Sequence, residues 1–180
     1  MILKQFQKDG VEWMMNQETS GMMLGGILAD DMGLGKTAQA VELVARRAEI
    51  GKTLIVCPKS VIGHWQAELN RFEKLRVLVL TCPIKAKQQI VEYDVVVTTY
   101  NRIQLMFSSR SRYSVLVEEW GRIILDEGHR IKGRVNMTTR ALRSLSAKHR
   151  WCLTGTPIQN RPSELLAIIQ VRRFRPWSEY

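Results

Sequence analysis

Six short runs of aliphatic and β-branched residues recur along the chain, and stretches with helical spacing alternate with them. The runs are MLGGILA (23–29), TLIVC (53–57), RVLVL (76–80), DVVVT (94–98), RIILD (122–126) and RWCLT (150–154). Few polar residues interrupt them, as in strands covered on both faces. Helices are expected at 3–18, 35–50, 60–73, 84–92, 136–147 and 163–171, and the irregular segment 106–119 reads as a surface loop. This alternation predicts an α/β fold, a parallel sheet with helices on both faces. At 180 residues the chain fits one domain, expected to span 1–180. Sheets of this kind bind ligands at the carboxyl ends of their strands. The chemistry should therefore follow the runs directly.

It does so after the first run, in Asp30-Asp31-Met32-Gly33-Leu34-Gly35-Lys36-Thr37. A full phosphate-binding loop has Gly at the first of these positions. Here that residue is Asp30, while the GKT end is intact. The two glycines let the backbone turn tightly and aim N–H groups at phosphates. Lys36 supplies a point charge for the β- and γ-phosphates, and the Thr37 hydroxyl can reach Mg²⁺. The helix that follows presents its positive end to the same anion. A P-loop also needs a metal-holding carboxylate from a neighbouring strand. RIILD delivers Asp126, with Glu127 next to it. Asp126 suits Mg²⁺, and Glu127 suits the attacking water, because phosphoryl transfer to water needs positioning more than covalent chemistry. Together these residues predict ATP and Mg²⁺ as ligands.

Charge is distributed unevenly. Residues 1–100 carry 12 Lys and Arg against 11 Asp and Glu, whereas residues 101–180 carry 15 against 6. Nearly all of the net +10 therefore lies in the later part, and 13 of its 15 cations are Arg. Arg favours bidentate contact with phosphate, so a polyanion is one reading and a solvated basic face the other. The longest apolar run, Gly21 to Ala29, is too short to cross a bilayer. The start MILKQFQKDG lacks a signal-peptide core, and Cys57, Cys82 and Cys152 form no CxxC pair. No membrane association, a reducing compartment and no zinc site are expected.

At Asp126-Glu127-Gly128-His129 the chain resembles the first RecA-like lobe of the SWI/SNF-type DNA translocases, within the DEAD/DEAH-box helicase superfamily. Leu3-Lys4-Gln5-Phe6-Gln7 is similar to that family's glutamine motif, GGILADDMGLGKT (25–37) to motif I and LIVCPKSVIGHWQAEL (54–69) to motif Ia. YDVVVTTYN (93–101) is similar to motif Ib, DEGH to motif II and LTGTPIQN (153–160) to motif III. The helicase-like transcription factor and post-replication-repair branch looks nearest. Asp31 stands where Glu is common, Gly128 where Ala is common and Gly133 where Asn often follows.

The resemblance implies a RecA-like P-loop NTPase lobe of a DNA-dependent ATPase, a nuclear protein acting on double-stranded DNA or chromatin. It implies that Gln7 recognises adenine and that Asp31, Met32, Gly33, Leu34, Gly35, Lys36 and Thr37 hold the nucleotide. Thr37 and Asp126 would hold Mg²⁺, with Lys36, Asp126 and Glu127 catalytic. His129, Thr154, Gly155 and Thr156 would couple nucleotide state to DNA grip, and Lys59, Ser60, Thr98 and Thr99 would meet DNA. A second RecA-like lobe, needed in cis for its arginine fingers, has no counterpart here, so little turnover is expected from this chain alone. An RNA helicase lobe and a catalytically silent nucleotide- or DNA-binding module are the alternatives. His64 and His149 read as ordinary, partly exposed residues, Trp13 and Trp65 as core, and Cys57 and Cys152 as buried and inert.

Overall fold

A computed structural model describes residues 2–20, 25–82, 88–109, 115–128 and 136–155. Along the chain lie α1 (Gln5–Thr19), β1 (Gly25–Leu28), α2 (Lys36–Arg46), β2 (Thr53–Cys57), α3 (Ile62–Leu69) and β3 (Val77–Leu80). They are followed by α4 (Gln88–Val91), β4 (Val95–Thr99), α5 (Tyr100–Ser108), β5 (Glu119–Asp126), α6 (Met137–Ser144) and β6 (Ser146–Leu153). The six strands pair in parallel in the order β1-β6-β5-β2-β4-β3. This is the expected RecA-like lobe.

Alternate residues of each strand feed opposite layers. Ile55, Cys57, Val95, Val97 and Ile124 pack with Val11 and Met14 of α1, Val41 and Val44 of α2, and Trp65 and Leu69 of α3. Leu54, Val56, Val96, Ile123 and Leu125 pack on the other face, against Ile103 and Met106 of α5 and Ala141 and Leu142 of α6. Every residue of β2 is buried, which explains why all of them but Thr53 are apolar. The sheet order separates β1 from β2 by two strands. The loop after β1 therefore opens beside the ends of β6 and β5. There, Leu153 is in register with both Leu28 and Asp126.

Three elements differ from expectation. Segment 100–108 forms α5, where only the start of a loop was foreseen; the Thr99 side chain caps it by accepting from the Arg102 amide at 3.1 Å. β5 and β6 begin earlier than the apolar runs did. Their first halves carry Arg122 and His149, both buried, contrary to the exposure expected for His149. Arg122 makes a bidentate ion pair with Glu18 of α1, each contact 2.6 Å, and Glu18 also accepts from the Trp151 indole at 2.9 Å. Burial alone would raise the Glu18 carboxyl, but the Arg122 bonds and charge, with Trp151, hold it below its usual value. Trp65 is core as expected, whereas Trp13 is 40% exposed and meets Trp151 edge-on at 5.4 Å. The helix expected at 163–171 lies outside the described residues, as do residues 84–87 of the one expected at 84–92.

Candidate nucleotide site

The loop between β1 and α2 turns through Gly33 and Gly35, whose φ angles of 85° and 79° favour glycine. At Gly35 a side chain is doubly barred, because a Cβ would lie 2.4 Å from Gln7 Nε2. Gln7 donates from that nitrogen to the Leu34 carbonyl at 3.0 Å, and its Oε1 accepts from the Lys4 amide at 2.9 Å. The residue expected to read adenine thus stands against the phosphate loop. Lys36 Nζ donates to the carbonyls of Asp30 and Asp31, at 2.6 and 3.0 Å. Asp30, the departure at the first loop position, is tied to α2 through Gln39 Nε2 at 2.8 Å.

A cleft of about 410 Å³ opens over this loop. Lys36, Thr37, Asp126 and Glu127 all line it, together with His64 and Glu68 of α3. The sequence had marked the first four and passed over the last two. Glu127 is the one non-glycine residue among those described with positive φ, at 51°. Such backbone is costly for a residue with a side chain, and it clusters at sites of chemistry.

Asp126 is held from three directions. Its Oδ2 accepts from the Trp65 indole at 2.7 Å, its Oδ1 from the Glu127 amide at 3.0 Å, and its carbonyl from the Tyr100 hydroxyl at 2.6 Å. Burial and the Glu127 charge push its carboxyl up, and Trp65, the Glu127 amide and Lys36 oppose them. Neither Trp65 nor Tyr100 was marked as a site residue, because apolar spacing does not reveal what an N–H or O–H meets. The neighbouring thiol of Cys57 is driven up to about 12 by burial and by Asp126, so it stays protonated and inert as expected.

The end of β6 also reaches the loop. The Thr154 amide donates to the Leu28 carbonyl at 3.1 Å, and a Cβ on Gly155 would come within 2.9 Å of Met32 Cγ and 3.6 Å of Lys36 Nζ. Thr154 is fully buried. His129 and Thr156 lie outside the described residues. Lys59 and Ser60 are exposed just after β2. Thr99 ends the adjacent β4, in register with Cys57. Thr98 departs from its expected role, because its side chain is buried and its hydroxyl donates to the Leu80 carbonyl at 2.8 Å. That leaves the hydroxyl no face toward a phosphate.

Residues 6–180 match the family described as the SNF2-related domain. The chain belongs to that family. Among curated relatives, the probable global transactivator of Orgyia pseudotsugata multicapsid polyhedrosis virus is 39% identical over 97% of this chain and 36% of its own length. The DNA repair protein rad8 of Schizosaccharomyces pombe is 33% identical over 87% of this chain and 16% of its own length. The chain thus spans about a third or less of these SNF2-related relatives. Of solved structures, the Sulfolobus solfataricus SWI2/SNF2 ATPase core in complex with dsDNA superposes with a TM-score of 0.80. That match has 31% identity and covers 96% of this chain and 36% of the other.

The SNF2-related site also accounts for one departure from the family's usual residues. A Cβ on Gly128 would clash with the buried Cys152 Sγ, so with Cys beneath it this position favours glycine.

Proposed function

We propose that this chain is the ATP-binding lobe of an ATP-dependent double-stranded-DNA translocase, a DNA-dependent ATPase of chromatin remodelling or DNA repair. The observation that carries this reading is the pairing of Lys36 and Thr37 with Asp126 and Glu127 in one cleft. The donor set suits Mg²⁺ held with a nucleotide. Thr37 and Asp126 would hold it, and when bound it would neutralise charge on the phosphates. Lys36 would exchange its two carbonyl partners for phosphate oxygens. Glu127 orients the attacking water, and Gln7 turns from Leu34 to the adenine. Thr154 and Gly155, packed on the loop, pass its state to the far side of the sheet ends.

Lys59, Ser60 and Thr99 would meet the DNA backbone there, and His129 and Thr156 complete the coupling. A second RecA-like lobe would supply the cations for γ-phosphate transfer, so turnover by this chain alone would be negligible. The dsDNA bound to the Sulfolobus solfataricus core and the repair role in the name of rad8 support the substrate class. No helix among the described residues is long and apolar enough to cross a membrane.

Titration calorimetry with Mg·ATP tests the reading. Lys36→Ala removes charge-assisted bonds worth about 1.5–3 kcal/mol each, so affinity should fall at least about tenfold. Equal affinities for the two proteins would refute it.

A further inference from the structure

We propose that Trp65 is a positioning residue for the metal-holding carboxylate, a role that rests on the nucleotide reading above. Trp65 is fully buried, yet its indole nitrogen donates to Asp126 Oδ2 at 2.7 Å across 61 residues of sequence. An indole N–H only donates, so it can partner a carboxylate oxygen and can never compete with one for a cation. The Glu127 amide takes the other oxygen at 3.0 Å, so the two donors together fix the carboxylate about its Cβ–Cγ bond. A carboxylate offers about four lone-pair sites. Two are engaged by these donors, which leaves two for a cation in the cleft that Asp126 lines with Thr37 and Lys36. Without the N–H, the Asp126 side chain is free to rotate away from the position where a cation between it and Thr37 would sit. α3 thereby contributes to the site through a residue that never touches the nucleotide. The helix starts directly after the exposed Lys59–Val61 turn.

The variant to make is Trp65→Phe, which keeps an aromatic ring in the core and removes the donor. Partners that orient metal ligands typically change metal affinity by about 10–100-fold when lost. ATP binding should be titrated at a series of Mg²⁺ concentrations and again in EDTA. The expected result is a Mg²⁺ midpoint raised about tenfold or more, with metal-free ATP affinity within about twofold of wild type. An unchanged midpoint, or an equal loss with and without Mg²⁺, would overturn the proposal.

A second measurement needs neither nucleotide nor a folded Trp65 variant. In protein labelled with ¹⁵N-tryptophan, the Trp65 indole resonance should move on adding MgCl₂ alone and should move again in Asp126→Asn. A resonance insensitive to both would also overturn the role. Should wild type bind no ATP at all, the nucleotide reading falls, and the MgCl₂ titration still decides for or against Trp65.

Discussion

Gly128 shows how a single missing methyl group is set by a residue on another strand. Its Cβ would clash with Cys152 Sγ, a fully buried side chain. Overpacking of this kind costs about 1–3 kcal/mol. Gly128→Ala is therefore expected to lower stability in urea denaturation by that amount. Adding Cys152→Ala should recover most of the loss, since the second change vacates the space the first one fills. Two additive losses would show that the contact is not the cause. Trp65, Tyr100 and Gly128 share a property: each is explained by a partner distant in sequence. The P-loop, by contrast, is legible from eight consecutive residues because its chemistry is local. Asp126 and Glu127 were legible for the same reason, at the end of an apolar run.

At the scale of elements, α5 depends on a cap. The Thr99 hydroxyl accepts from the Arg102 amide, and only Ile103 and Met106 of the helix are fully buried. Thr99→Ala should destabilise the fold by about 1 kcal/mol in chemical denaturation, while Thr99→Ser should restore most of it. A loss equal for both would place the effect in the lost methyl group instead. β2 was readable to the residue from sequence, because both of its faces are buried and four apolar residues follow Thr53 without interruption. α5 was not, since its helical spacing rests on two buried residues and its start signal reads equally as a phosphate-binding Thr. The early residues of β5 and β6 were missed because the apolar runs begin only at Arg122 and Arg150, and the polar residues before them look like loop. Only the carboxylate of Glu18, 104 residues from Arg122, makes a charge tolerable there.

Across the whole molecule, that ion pair joins the first helix to the middle of the sheet. Both partners have fully buried side chains, so removing one leaves the other charge stranded. Glu18→Gln is expected to cost about 3–5 kcal/mol at neutral pH. The sign of its pH dependence follows from the lowered folded-state carboxyl. The contribution is complete above the unfolded value near 4.5 and fades as pH falls through the lower folded value. Denaturant titrations should thus show the gap between wild type and variant closing below about pH 4.5, and a constant gap would contradict the assignment. Arg150 is likewise engaged internally, with its guanidinium on the carbonyls of Leu142 and Leu145. Arginines counted by sequence toward a DNA-facing surface are therefore partly structural. The pairing of Glu18 with Arg122 and Trp151 also fixes where the cooperative unit begins. A truncation that starts at the phosphate loop would lose Gln7 but keep the phosphate- and metal-holding residues, and it would leave an uncompensated guanidinium inside the sheet. α1 is as much a part of the folding boundary as any strand.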